Sequence, residues 1–159
     1  MFLEVASEIA AMLIERGDTV SVAESSTGGL IAANLLSVPG ASSYFQGGSV
    51  VYTLASRRAF LDLDSKRVRD LKPLTEEMVA EFAIAARQKL DTSWGIAELG
   101  AAGPAGTPYG HGPGISVIAI SGPCSISSTI RTNQDNRQNN MLAFTQAGLD
   151  LFKQALQST

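Results

Sequence analysis

Three consecutive hydroxyl residues and two glycines, Ser25-Ser26-Thr27-Gly28-Gly29, stand just after the β-branched run Thr19-Val20-Ser21-Val22. An aliphatic helical pattern follows from Leu30 to Leu36. A strand, a tight hydroxyl-rich turn and a helix N-terminus aim backbone N–H groups and the positive end of a helix dipole at one spot. That arrangement suits an anion or a developing oxyanion with a serine hydroxyl beside it. Ser25 reads either as a nucleophile or as a hydroxyl that only binds. Glu24, at the strand end, reads as a base or as a carboxylate that accepts backbone N–H groups. His111, the single histidine, is the one side chain that titrates near neutrality unperturbed. It reads either as a residue brought over the turn by its Gly-rich loop or as a solvated one.

The rest of the chain must supply the frame for that turn. Its 159 residues amount to one domain, 1–159, with 45% hydrophobic and 17% charged residues. A net charge of −3 without a basic cluster gives no reason to expect nucleic acid. No stretch approaches the roughly 18 apolar residues that span a bilayer, so no membrane association is expected. A lone cysteine, Cys124, forms no internal disulfide and fits a cytoplasmic setting. One histidine and one cysteine argue against a zinc site, and no metal or cofactor is expected.

Residues 3 to 16 carry a helical apolar period that Gly17-Asp18 ends. A first strand covers about 19–24, and Thr27 suits the N-cap of a helix running to about Ser37. The stretch 44–53 reads as a strand interrupted by Gly47-Gly48, where interior glycines signal a bulge or a close backbone approach. A short helix over 55–61 carries Arg57 and Arg58, and Thr75 caps a helix to about Leu90. Trp94 to Leu99 is an apolar strand. Residues 100–114 hold six glycines and three prolines, which predicts a loop without helix or strand. Strands at 115–121 and 125–131 flank Gly122-Pro123 as a hairpin, and Asp135 caps a closing helix to about Gln157. Helices alternating with strands predict an α/β fold, a three-layer α/β/α sandwich on a mixed, mostly parallel sheet.

Ala-Glu-Ser-x-Thr-Gly-Gly at 23–29, Pro-Gly-Ala-Ser-Ser at 39–43, Phe-x-x-Gly-x-Val-x-Tyr at 45–52 and Ala-Gly-Pro at 102–104 together resemble the CinA C-terminal domain family. The resemblance covers nearly the whole chain. It implies the three-layer fold and nicotinamide mononucleotide deamidase activity, the metal-free hydrolysis of a nicotinamide amide to the acid and ammonia. It further implies Ser25 as nucleophile, with Thr27, Gly28 and Gly29 holding a helix N-terminus near phosphate or oxyanion. Tyr52 joins Ser25 and Thr27 as catalytic. Glu24, Ser26, Arg57, Gly103 and Arg137 are expected to touch a small-molecule nucleotide. A homo-oligomer is the expected assembly.

Three positions depart from the family pattern. Arg57 stands where a lysine general base is common, and arginine does not give up its proton near neutrality. Leu99 replaces a hydroxyl before Gly100, and Met141 stands where a second arginine follows Arg137. Two readings remain open: an amidohydrolase, or a nucleotide- or phosphate-binding module of the same fold without turnover. A domain acting only through its surface in an oligomer is a third.

Overall fold

The computed structural model describes residues 1–159. Five strands, β1 (Val20–Glu24), β2 (Phe45–Val50), β3 (Trp94–Ala101), β4 (Ile115–Ser121) and β5 (Ile126–Arg131), form one sheet in the order β2-β1-β3-β4-β5. β1 pairs in parallel with β2 and β3, while β4 runs antiparallel to both β3 and β5. Only β4 is therefore reversed, and the sheet is mixed with most strands running one way. The helices are α1 (Leu3–Arg16), α2 (Leu30–Leu36), α3 (Leu54–Phe60), α4 (Ser65–Val68), α5 (Glu76–Lys89) and α6 (Arg137–Gln157).

Side-chain size along the strands decides which helices sit where. Successive strand residues point to opposite faces. Val20, Val22, Trp94, Ile96, Ile118 and Ile120 fill one face and pack under α1, α2 and α6. The other face carries smaller residues, Ala23, Ala97 and Ala119 among them, and receives α5. At Gly95 a Cβ would lie 2.2 Å from the Ala83 carbonyl oxygen, so α5 rides directly on the β3 backbone. On β2, Val20 pairs with Phe45 and Ser21 with Gly47, which places the expected bulge at Gln46. A Cβ on Gly48 would stand 3.2 Å from that of Ala32, the close approach of α2 that the glycine pair signals.

Several boundaries differ from the sequence expectation. β3 continues through Gly100 and Ala101, which pair with Ser116 and Ile115, so the loop begins at Ala102. Glycine reads as a loop former, but here the missing side chain makes room: a Cβ on Gly100 would sit 2.3 Å from Ser26 Oγ and 2.6 Å from Glu98 Oε1. β2 stops at Val50, which leaves Tyr52 outside the sheet. α4 was not foreseen in its polar surroundings. Asn136, not Asp135, caps α6, its side chain accepting the Asn139 N–H at 2.9 Å.

Candidate active site

The turn after β1 is built around two buried carboxylates. Thr27 does not cap α2; the N-cap residue is Gly29, at φ +100°, and it makes no side-chain cap. Glu24 does that work from the end of β1. Its Oε1 accepts the N–H groups of Gly29 at 2.8 Å and Ile31 at 3.1 Å, and its Oε2 that of Ala32 at 2.9 Å. A carboxylate at this place meets orphan donors and the positive helix end together. Burial raises the Glu24 pKa above its ordinary 4.5, opposed by the Thr27 hydroxyl and by the Ala32, Ile31 and Gly29 amides.

Glu98, wholly buried on β3, fills the first half of the turn. Its Oε2 accepts the N–H groups of Ser25 and Thr27, each at 3.1 Å. Its Oε1 accepts the Ser26 hydroxyl at 2.5 Å and the Ser116 hydroxyl at 2.8 Å. Thr27 Oγ1 lies 2.7 Å from Glu24 Oε1 and 3.2 Å from Glu98 Oε2, so a single hydroxyl joins the two carboxylates. The anion cradle seen in the sequence exists, and its anion is a side chain of the same protein. This corrects the expectation that the amides from Thr27 to Gly29 face a ligand: Thr27 gives its N–H to Glu98, Gly28 to the Ser25 carbonyl and Gly29 to Glu24. Within the turn, the Ser26 N–H alone has no acceptor in the chain.

The three hydroxyls consequently divide. Ser26 and Thr27 are tied to carboxylates, whereas Ser25 Oγ makes no hydrogen bond in the chain and borders a cavity of about 440 Å3. Tyr52, Arg57, Leu99, Gly103, Tyr109 and Arg137 border the same cavity. Glu24, Ser26, Thr27, Gly28 and Gly29 are not among the residues that border it; they brace Ser25 from behind, and the Ser26 N–H is the one donor among them left unfilled. Gly28, at φ +64°, faces α6, where a Cβ would come within 3.2 Å of Met141 Cε.

Across the cavity stand two arginines fixed by backbone carbonyls and aromatic faces. Arg57 Nε donates to the Val51 carbonyl at 3.1 Å, and its guanidinium lies 5.2 Å from the Phe82 ring centroid. Its two terminal nitrogens have no acceptor in the chain. Burial lowers the Arg57 pKa, with Tyr109 and Glu98 acting the opposite way. Arg137 donates to the Gly103 carbonyl at 2.7 Å and to the Tyr52 hydroxyl at 3.1 Å. Cation and aromatic ring attract at such separations, so each guanidinium is held in place before a ligand arrives. Asn140, fully buried, donates to the Ala102 and Gln134 carbonyls and accepts the Thr132 hydroxyl, which anchors the loop to α6.

The Gly-rich loop folds over the cavity through Thr107, Pro108 and Tyr109. His111 turns away and clasps Thr107, its Nδ1 3.1 Å from Thr107 Oγ1, so it is no partner of Ser25. No three His, Cys, Asp or Glu residues gather to hold a metal ion. Glu98, Tyr109 and Asn140 escaped the sequence reading. For Glu98 the signal was present: a lone carboxylate inside Trp-Gly-Ile-Ala-Glu-Leu must be paired if that strand is buried.

The three-layer arrangement of helices on a mixed five-stranded sheet, with a hydroxyl-lined turn facing two arginines, places the chain in the α/β class. Residues 3–156 match the profile described as the CinA C-terminal domain, and the chain belongs to that family. A CinA-like protein of Gloeobacter violaceus is 35% identical over 153 residues, 95% of this chain and 36% of that protein. One from Synechocystis sp. is 34% identical across 98% of this chain and 38% of its own length. The chain thus spans little more than a third of these relatives. Among solved structures, a CinA superfamily protein from Klebsiella pneumoniae superposes with a TM-score of 0.89 at 22% identity, covering 98% of both chains. The competence/damage inducible protein CihA from Agrobacterium tumefaciens gives 0.87 at 26%, covering 97% of this chain and 94% of its own. No helix is long and apolar enough to cross a membrane.

Proposed function

We propose that this domain hydrolyses the carboxamide of a nicotinamide mononucleotide-like substrate, with Ser25 as nucleophile. The observation that carries the reading is the Ser25 hydroxyl, the only one of the three left unbonded and the one that borders the cavity. Ser25 Oγ bonds to the amide carbon and the C–N bond breaks with loss of ammonia. Water then cleaves the resulting ester to the free acid. The Ser26 N–H is the turn's available donor for the oxyanion, and the free nitrogens of Arg57, with Arg137 beside them, suit the phosphate. No carboxylate, imidazole or amine is hydrogen-bonded to Ser25 Oγ, so its proton passes to water, and water returns a proton to the departing nitrogen, which leaves as ammonia. General base assistance contributes ~10²–10⁴-fold, and turnover is correspondingly slow.

Arg57 supports a second reading, a domain that holds the nucleotide without turnover. Ammonia release from nicotinamide mononucleotide separates the two. Turnover that vanishes in Ser25→Ala, and rises in Arg57→Lys as an amine base is restored, is the expected result. No release above the Ser25→Ala background, with binding by calorimetry intact in both proteins, would replace the first reading with the second.

A further inference from the structure

A second cavity, of about 540 Å3, lies between the α3–α4 segment and α5 and shares Leu54, Arg57 and Met78 with the first. Neither α3 nor α4 buries any residue of its own. The segment is held by Leu61 between the two helices, which is buried against α5, by the Thr53–Ser56 capping box, by Arg57 on Val51 and by the Arg67–Glu81 ion pair at 2.8 Å. It therefore bridges over α5 without filling the space beneath it. Leu61, Leu63, Val68, Met78 and Phe82 give that space an apolar floor. Water over such a floor finds few polar partners and is readily displaced by an apolar group.

One end of the cavity carries Arg57 and Arg58. Arg58 makes no hydrogen bond or ion pair in the chain, and the two terminal nitrogens of Arg57 make none. The only carboxylate in the lining, Asp62, is taken by Lys89 at 2.6 Å. An apolar floor below two guanidinium groups with unfilled donors, in a volume ordinary for small-molecule sites, is a pattern with definite chemistry. We propose that this cavity binds a small organic anion with a flat apolar body, of the aryl phosphate class. The ring lies against Leu61, Leu63 and Val68 and the anionic head meets Arg57 and Arg58. Because Arg57 borders both cavities, an occupant here draws on the same cation that faces Ser25. Filling the second cavity then weakens anion binding in the first, whatever chemistry Ser25 performs.

Phenyl phosphate, titrated against methyl-labelled full-length protein by NMR, tests the proposal without any need for turnover. Saturable shifts of the Leu61, Leu63 and Val68 methyls are expected, with about tenfold weaker binding in Arg58→Ala, a surface change that leaves the fold intact. Phenol, which lacks the charge, and inorganic phosphate, which lacks the ring, should each bind much more weakly. No shift at these methyls would overturn the proposal. So would equal binding of phenol and phenyl phosphate, an unchanged affinity in Arg58→Ala, or shifts confined to Ala101, Ala102 and Ala105 beside Ser25.

Discussion

On the turn side of the Ser25 cavity, Glu24 and Glu98 are buried to 1% and 0% exposure and their oxygens are filled with donors of the chain itself. On the opposite side, Arg57 and Arg137 are tethered through part of each guanidinium, and Arg57 keeps its terminal nitrogens free. Both regions were legible as anion-binding chemistry, since helix-start amides and arginines attract the same ligands. The turn side keeps only the Ser25 hydroxyl and the Ser26 N–H unfilled, whereas the arginine side keeps charged donors open to a visitor. A cradle of amides is thus a statement about where negative charge will sit, and a carboxylate of the same chain can supply that charge. Which occupant prevails depends on the neighbouring strand, here β3, which delivers Glu98 opposite the turn.

The contrast can be broken most forcefully at Glu98. Glu98→Ala strands the Thr27 amide and the Ser26 hydroxyl in a buried space and leaves the Ser25 amide and the Ser116 hydroxyl only their backbone acceptors, Glu98 O and Leu99 O, at a cost of about 3–5 kcal/mol. Urea unfolding measures it; a loss under 1 kcal/mol would show that the internal anion is dispensable. Next comes Gly100→Ala, whose new methyl would meet Ser26 Oγ at 2.3 Å and Glu98 Oε1 at 2.6 Å. Overpacking of this kind costs roughly 1–3 kcal/mol, and the same variant should lower whatever turnover Ser25 supports. On the arginine side, Arg137→Ala should weaken nucleotide binding about tenfold with little change in the melting temperature, as calorimetry and thermal unfolding would report. A drop in stability without a change in affinity would assign Arg137 to holding the loop and Tyr52 alone.

The smallest effect concerns pH. Burial raises the Glu24 pKa above 4.5, so just above that value the folded chain keeps a proton that the unfolded chain has released. Stability from this group is greatest at low pH and falls as pH rises through the interval between 4.5 and the raised value. Glu24→Gln should flatten that part of the urea midpoint profile. Identical slopes in the two proteins would mean that Glu24 titrates as an ordinary carboxylate.

The fold was readable because apolar periodicity and glycine placement are local. The helices at 3–16 and 75–90, the bulge beside Gly47-Gly48 and the β4–β5 hairpin about Gly122-Pro123 all stand where the pattern puts them. The site was readable only in part, because its decisive contacts join residues distant in sequence. Thr27 has the chemistry of an N-cap, yet Glu24 reaches the helix first from the strand end. Gly100 has the composition of a loop, yet extends β3 because a side chain there would collide with the Ser26–Glu98 pair. Ser25 stands in a row of three hydroxyls, and nothing local says that its two neighbours will be claimed and it will not.

The two carboxylates also differ in how far along the chain they reach. Glu24 finds its partners three to eight residues ahead, whereas Glu98 meets the turn across 71 to 73 residues. Short-range contacts close early in folding and long-range ones wait for the chain to come together. The β1–α2 half of the turn can therefore form as a local nucleus, while the half that carries Ser25 stays unset until β3 docks beside β1. The Ser25 side of the turn is set by contacts that exist only once β3 lies beside β1, whereas the Glu24 side rests on neighbours along the chain.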